Sequence, residues 1–374
     1  MKDLTIDRAD VYTVGPDTER YTWAHDMPEQ FMPNAILRLR TRGGLEGVAG
    51  AVMITSHQFD LSVAETLKYL LPEVIGRSPL EREALWHQLK TLNTPQVPQA
   101  LSLIDIALWD LAAKHAGLPL YQFLGGARSK IRSYASTPLL ESRDHYVEFV
   151  GKLREEGFRA VKYHCWCDPD RDIPMVAAVH EVHGGQMDFM LDVEQRYTRA
   201  QAFRAIRQLE PYDLTWFEAP FPDVDLDGYR QLREKSTIPI IPGGNSILDL
   251  NVIAEAIKLG CWSAVRVDAT IAGGITPTRK IMSLAEANGM TCELQCWGYT
   301  LTQAVNLHLM LAYRNCDFFE QPTPYPAFEY GALDVIRTDR EGYVHAPSGP
   351  GLGIGIDWTA VERATLMTYA VGPS

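Results

Sequence analysis

The sequence predicts an α/β protein in which a smaller α+β domain precedes a closed (β/α)₈ barrel. From about residue 130 onward, short apolar runs that end in a polar residue alternate with amphipathic stretches, a pattern typical of strand–helix units in a parallel sheet. Eight such runs lie within roughly 200 residues, the length of a compact (β/α)₈ barrel. The first 125 residues lack this alternation, which indicates a separate domain.

The predicted barrel strands are short, and the segments between them have helical features. The segment "TPTRKIMSLAEANG" places Thr276 as the N-cap, Pro277 at the first helical position and Gly289 as the C-terminal stop. The eight candidate strands are "IRSYAS", "RAVKYH", "DFMLDV", "LTWFE", "IPIIPG", "SAVRVD", "TCELQ" and "DFFEQ".

The N-terminal segment carries different signals. The stretch "PNAILRLRTRGGLEGVAGAVM" predicts a hairpin with a Gly-Gly turn, and "SLIDIALWDLAAKHAG" predicts a strong helix with one apolar stripe. The polar and aromatic "DTERYTWAHDMPEQF" is interpreted as a lid near residues 21–31. We therefore divide the chain into an α+β domain at residues 1–125 and a barrel at residues 126–349.

The composition excludes several classes of partner. The 374 residues carry a net charge of −12, whereas a nucleic-acid or anionic-membrane surface needs clustered Lys and Arg. No apolar run is long enough to cross a bilayer, and "MKDLTIDRADVYTVG" lacks the apolar segment of a signal peptide. The six cysteines fit no zinc-binding spacing. We expect a cytoplasmic protein with reduced thiols and with no nucleic-acid or membrane partner.

Three predicted strands end in an oxygen-bearing side chain at nearly equal intervals. Asp192, Glu218 and Asn245 are separated by 26 residues (218 − 192) and 27 residues (245 − 218). Because the carboxyl ends of barrel strands meet at one mouth, we expect these side chains to converge there. Carboxylate and amide oxygens suit Mg²⁺. One such residue would be an ordinary polar strand end, but three in register predict one Mg²⁺ per chain.

The second predicted strand carries a pair of candidate bases. Lys162 and His164 are two residues apart, so a strand places both side chains on the same face. Alone, such a pair is more often an ion-paired Lys and a hydrogen-bonded His. Beside the acidic cluster, the pair is a candidate site of proton transfer.

Taken together, the motifs resemble the enolase superfamily, and most closely its mandelate racemase-like members. The resemblance rests on "DIALWDLAAKHAGLPLYQFLGG", "VKYH", "LDVE", "FEAP", "GGNS", "DATIAGGIT" and "FFEQP". It implies a modified barrel with the active site, an N-terminal capping domain to which residues 350–374 return, and a homo-oligomer. It also implies that a Lys or His removes the proton α to a carboxylate while Mg²⁺ stabilises the enediolate.

The resemblance also assigns roles to single residues. It makes Glu320 an acid that contacts the substrate and Asp268 the acid of the sixth strand. The resemblance matches the first two metal ligands to Asp192 and Glu218. It matches the pair of candidate bases on the second strand to Lys162 and His164.

Two positions depart from the family pattern. The third metal ligand is Asn245 instead of the usual Glu, which removes one negative charge and predicts weaker metal binding. On the seventh strand, Gln295 stands where a His usually pairs with Asp268. Because Gln cannot act as an acid or a base, it can only hydrogen-bond a substrate, and this argues against a two-base racemisation.

We therefore predict Mg²⁺-dependent dehydration of a sugar acid by β-elimination. His164 is the predicted base, because the ordinary pKa of His lies near working pH, and Lys162 holds the substrate carboxylate. Two alternatives remain open: a cycloisomerase or epimerase that uses the same enolate, and an impaired barrel that only binds an acid. The residues expected to contact the substrate are Glu194, Glu320, Gln295, Trp166, Trp297, Trp23 and His25.

Overall fold

The computed structural model describes residues 3–24, 34–52, 57–94 and 97–373. Most of the predicted lid, including His25, lies outside these described residues. A search of the described helices finds none that is long and apolar enough to span a membrane.

An antiparallel sheet forms the N-terminal part of the described structure. Its strands are β1 (Ile6–Val14), β2 (Asn34–Thr41), β3 (Glu46–Val52) and β13 (Thr365–Val371), in the order β13–β1–β2–β3. The predicted hairpin between β2 and β3 is confirmed, and Gly44 in its turn adopts φ +78°. The strand β13 pairs with β1, so the end of the chain returns to this sheet. The division at residues 125 and 349 stays a prediction.

Helix α3 (Pro98–Ala116) joins this sheet to the barrel. Pro98 lies in its first turn, and Gly117 ends it with φ +70°. The sequence predicted one apolar stripe, but every residue from 100 to 113 is buried. The helix therefore packs on all sides. Its Asp110 accepts the N–H groups of Val48 in β3 and of Leu352 in the C-terminal segment, each at 2.8 Å. The other helices of this region are α1 (His57–Leu70), α2 (Arg82–Leu92) and α4 (Leu120–Phe123).

All eight predicted barrel strands are present. They are β4 (Lys130–Ser136), β5 (Ala160–His164), β6 (Asp188–Asp192), β7 (Trp216–Glu218), β8 (Ile240–Ile241), β9 (Val265–Val267), β10 (Cys292–Leu294) and β11 (Phe318–Pro322). Parallel ladders join β11–β4–β5–β6–β7–β8 in one run and β9–β10 in another. The short strand β12 (Tyr343–His345) pairs with β4 in the antiparallel direction.

Helices alternate with the barrel strands, as predicted. They are α5 (Arg143–Glu156), α6 (Pro169–His183), α7 (Arg199–Leu209), α8 (Leu226–Lys235), α9 (Leu250–Lys258), α10 (Ile275–Ala287) and α11 (Thr300–Ala312), and α12 (Trp358–Arg363) follows near the C-terminus.

The start of α10 differs from the prediction. Gly274 is its N-cap, and Thr276 lies within the first turn. Thr276 donates its N–H and its hydroxyl to the buried Asp105 of α3, at 2.9 and 2.6 Å. The predicted N-cap is therefore wrong, because this Thr serves the contact between α3 and the barrel.

Candidate active site

The polar residues of the site form the layer of the barrel interior that follows its apolar core layer. One layer of the barrel interior is a cluster of buried side chains, namely Tyr134, Ala160, Met190, Trp216, Ile241, Ala264 and Phe318. Side chains two residues apart along a strand share a face, so the next inward layer lies two positions further along each chain segment. Those positions hold Ser136, Lys162, Asp192, Glu218, Gly243, Arg266 and Glu320.

A cavity lies at this polar layer, with about 520 Å³ of empty space, part of it open to solvent. Most of the predicted site residues line it: Trp23, Lys162, His164, Asp192, Glu194, Glu218, Asn245, Gln295, Trp297 and Glu320. Residues far apart in the sequence therefore meet at the carboxyl ends of the strands, which is where barrel enzymes carry their active sites.

Lys162 is the central cation of the layer. Its Nζ lies 3.2 Å from Asp192 Oδ2, 3.0 Å from Glu218 Oε1 and 3.0 Å from Glu320 Oε1. Burial lowers the pKa of Lys162, but the charges of Glu218 and Glu320 raise it well above its usual value. Burial likewise raises the pKa of Glu320, and the charges of Lys162 and Arg266 outweigh that effect and lower the pKa to about 2.

Arg266 is a second buried cation, which the sequence analysis missed. It is 2% exposed and lines the cavity. Its Nε lies 2.8 Å from Glu218 Oε1, and its terminal nitrogen lies 3.2 Å from Glu320 Oε2. A signal was present, because Arg266 is a charged residue inside the otherwise apolar run "AVRV", which an interior barrel strand carries only where a partner is present.

His164 faces two carboxylates. Its Nδ1 contacts the Thr137 carbonyl oxygen, and its Nε2 lies 3.3 Å from Asp192 Oδ2 and 3.2 Å from Glu194 Oε1. Burial lowers the pKa of His164, but the hydrogen bonds to Asp192 and Glu194 raise it to about 10. The prediction that this pKa lies near working pH is therefore wrong as long as both carboxylates face the imidazole without a cation between them.

The predicted metal ligands fit a divalent cation. Asp192 and Glu218 are neighbours in register on β6 and β7, and both contact the same ammonium group of Lys162. Asn245 lines the same cavity and is exposed to it. Glu194 adds a further carboxylate, since ligand atoms of His164, Asp192 and Glu194 all lie within 4.8 Å of one another. Two or three carboxylates with an amide oxygen are a donor set that suits Mg²⁺.

Asp268 is not brought to the cavity. It is buried, and its carboxylate accepts hydrogen bonds from Thr270 N at 2.7 Å, Thr270 Oγ1 at 2.9 Å and Asn306 Nδ2 at 2.8 Å. Burial raises its pKa to about 6, although these bonds oppose the shift. Gln295 does line the cavity, and its Nε2 donates to the Gly243 carbonyl. The structure therefore places Asp268 outside the residues that line the cavity, and these contacts give no support to the catalytic role expected of it.

Of the three Trp residues predicted to contact a substrate, two line the cavity and one does not. Trp23 and Trp297 line the cavity as an edge-to-face pair with ring centroids 4.1 Å apart. Trp166 lines a separate surface cavity beside α5 and α6, where the Arg171 guanidinium lies 4.2 Å from its ring. The predicted contact between Trp166 and a substrate is thus wrong, because the chain after β5 turns this ring away from the site.

Family models match most of the chain. Residues 16–125 match the mandelate racemase/muconate lactonizing enzyme N-terminal domain, and residues 145–360 match the enolase C-terminal domain-like family. The chain therefore belongs to the mandelate racemase/muconate lactonizing enzyme family of the enolase superfamily.

Individual relatives agree with this assignment. A mandelate racemase/muconate lactonizing enzyme-like protein from Pseudovibrio sp. superposes with a TM-score of 0.96 at 41% identity, over 98% of this chain and 99% of its own. D-galactarolactone cycloisomerase of Agrobacterium fabrum is 30% identical over 78% of this chain and 81% of its own length.

A third relative is a dehydratase. L-talarate/galactarate dehydratase of Salmonella typhimurium is 32% identical over 74% of this chain and 70% of its own length. Its structure superposes with a TM-score of 0.88 over 98% of this chain and 93% of that one. A mutant of that enzyme has been crystallised with Mg and L-glucarate.

Proposed function

We propose that this protein is a Mg²⁺-dependent hydro-lyase that removes the proton α to the carboxylate of a sugar acid and eliminates water. The observation that carries the proposal is the convergence of Lys162 on Asp192, Glu218 and Glu320 inside one cavity at the barrel mouth. A buried ammonium beside several carboxylates is the arrangement expected where an anionic substrate and a cation are held together.

The metal ligands proposed for this chain are Asp192, Glu218 and Asn245. When bound, Mg²⁺ supplies positive charge at the substrate carboxylate, where a second negative charge develops as the α-proton leaves. Arg266 and Lys162 supply fixed positive charge in the same place, since both contact Glu218 Oε1 and both contact Glu320. We propose that these two cations orient the substrate carboxylate.

Proton transfer is assigned to the side of the cavity that carries His164 and Lys162. Among the described residues that line the cavity, these two are the nitrogen groups able to exchange a proton, because Gln295 has no titrating group and the Arg266 guanidinium stays charged. We propose that His164 acts as the base once the Asp192 charge is neutralised by the cation that Asp192 holds, because the loss of that neighbouring negative charge lowers the pKa of His164. The neutral imidazole then takes the α-proton and returns a proton to the departing hydroxide. One group can perform both steps only if both bonds break on its own face of the substrate.

The cavity favours a polyhydroxylated substrate. Glu194, Gln295 and Asn245 offer hydrogen bonds to hydroxyl groups, and the Trp23–Trp297 pair offers an apolar surface to the carbon chain. The dehydratase among the relatives supports this substrate class. The cycloisomerase among the relatives keeps isomerisation as the second candidate, because it requires only a different fate of the same enolate.

We further propose that the enzyme is a cytoplasmic homo-oligomer. All six cysteines are buried free thiols, as expected of a protein from a reducing compartment.

The test is a screen of aldonic and aldaric acids with Mg²⁺ present. Formation of a 2-keto-3-deoxy acid supports dehydration, whereas a lactone or an epimer supports the second candidate. Each acid is also incubated in D₂O, and deuterium at the α-carbon is followed by NMR. If no acid in the set exchanges its α-proton, the binding-only alternative stands and the proposed reaction is overturned.

A further inference from the structure

Hydrogen bonds connect the three loops that follow β6, β7 and β8, the strands at whose ends the proposed metal ligands lie. Gln195 N–H donates to the Ala219 carbonyl at 2.8 Å, which joins the loop after β6 to the loop after β7. Asp223 N–H donates to Gln195 Oε1 at 3.0 Å and repeats that connection. Ala219 N–H donates to the Ile241 carbonyl at 3.0 Å, which links β7 to β8.

Asp223 makes the connection to the third loop. Its Oδ1 accepts the Gly243 N–H at 2.8 Å, and its Oδ2 accepts the Gly244 N–H at 3.0 Å. Burial raises the pKa of this carboxylate, and the backbone N–H of Asn245 lowers it by a smaller effect. Tyr229 Oη donates to Oδ1 at 3.0 Å from α8. The Asp223 side chain is fully buried, so these bonds form without competition from water.

The backbone of this loop is shaped to present its N–H groups to Asp223. Gly244 has φ +78°, and a Cβ there would lie 2.7 Å from the Arg266 carbonyl oxygen, so only glycine fits. Successive N–H groups in such a turn form a concave anion-binding site. Here a carboxylate of the protein itself fills that site, five residues after Glu218.

Asn245 depends on this arrangement. Its side chain lines the cavity, and the backbone of the loop sets the position of its Cα and Cβ and thereby limits where its amide oxygen can reach. An amide oxygen brings no charge to a cation, and it therefore contributes to affinity only if it is held in the right direction beforehand. The carboxylates Asp192 and Glu218 depend less on a fixed orientation, since their charge attracts the ion from several directions.

We propose that Asp223 is a positioning residue that fixes the backbone of residues 243–245 and thereby aims the Asn245 amide oxygen at the divalent cation. This inference rests on the proposed function in one respect, because it takes Asn245 to be a ligand of the ion. It does not depend on which sugar acid reacts.

The test is a double-mutant cycle with Mn²⁺ as the probe, read by electron paramagnetic resonance of the free ion. The full chain is compared as wild type, Asp223→Asn, Asn245→Ala and the double variant. Asp223→Asn keeps one acceptor oxygen but replaces the other with an NH₂ group, and we expect its Kd for Mn²⁺ to rise by roughly 10–100-fold. Because Asp223 acts through Asn245, the double variant should bind no more weakly than Asn245→Ala alone.

Asp225→Asn is the matched control. Asp225 lies two residues further along the same loop, and its Oδ1 accepts the Gly228 N–H at 3.1 Å at the start of α8, away from residues 243–245. Thermal unfolding without the ion measures the structural cost of each variant. We expect Asp225→Asn to lower the Tm and leave the Kd for Mn²⁺ unchanged.

The outcomes separate this inference from the proposed function. If the wild type binds no Mn²⁺, the metal-dependent function fails, and the inference fails with it. If the wild type binds Mn²⁺ but Asp223→Asn changes its Kd by less than about twofold, or if the two substitutions weaken binding multiplicatively, Asp223 has no positioning role while the function stands. Unchanged affinity in Asn245→Ala also overturns the inference and reduces the ligand set to the two carboxylates.

Discussion

The two sides of the cavity offer different chemistry. On one side, β5 and the end of β6 present Lys162, His164 and Glu194. On the other side, β9 and β10 present a guanidinium from Arg266 and an amide from Gln295, while the carboxylate of Asp268 is turned into the protein. The first side can exchange protons, and the second can only bind. From this difference we predict that a substrate loses its proton on one face alone.

The largest effect should come from the proton-transferring side. We expect His164→Asn to lower kcat by about 10³-fold or more, since general acid–base groups contribute on the order of 10²–10⁴. The fold and Mn²⁺ binding should persist. His183→Asn is a matched control, because His183 is a buried His of α6 that contacts the Val147 carbonyl away from the site. Near-normal turnover by His164→Asn would remove His164 from the mechanism.

Removal of the central cation should have the next largest effect. Lys162→Met should lower kcat/KM by on the order of 10²-fold, with a higher KM and a lower kcat, because the contact to the substrate carboxylate strengthens as charge develops. Steady-state kinetics separate the two constants. Lys114→Met, which removes a partly exposed ion pair to Asp110 in α3, is the control. An effect confined to KM would mean that Lys162 binds the substrate and the transition state equally.

On the side of β9 and β10, the next effect is expected in the pH dependence of the free energy of unfolding, through Asp268. The folded pKa of Asp268 is about 6, above the unfolded value of about 3.9, so the folded protein holds this proton between those pH values and the unfolded chain does not. This group therefore lowers the free energy of unfolding as pH rises from about 4 to about 6, by an amount on the order of 3 kcal/mol.

Urea unfolding at several pH values tests the titration of Asp268. Asp268→Asn should lose that part of the pH dependence, because an amide does not titrate. A variant whose stability follows pH as the wild type does would show that Asp268 stays ionised in the folded protein.

The smallest effect is expected where the family pattern would place a second base. Gln295→His should give no measurable exchange from the opposite face, because Asp268 is held by Asn306 and Thr270 and cannot orient an imidazole in the cavity. With both α-epimers of a working substrate in D₂O, the unmodified protein should exchange only one. Similar exchange of both epimers would reveal a second base and end the contrast between the two sides.

Particular residues show how far the sequence alone could go. The strand ends at Asp192 and Glu218 were predicted because apolar runs and their polar ends are local features, and so was the shared face of Lys162 and His164. The pKa of His164 was predicted wrongly, because it depends on Asp192 and Glu194, which reach it from another strand. Trp166 was misplaced because the direction of a side chain beyond a strand end depends on the loop that follows.

The sequence by itself determined the eight strands that alternate with helices, the shared face of Lys162 and His164 and the absence of a titrating group at Gln295, because these follow from strand periodicity and from residue chemistry. Only the tertiary structure decided that Arg266 pairs with Glu218 and Glu320, that Asp268 turns away from the cavity, and that Asp223 holds the loop of Asn245. These contacts join segments from different strands, and their distances and burial are set by how the barrel closes.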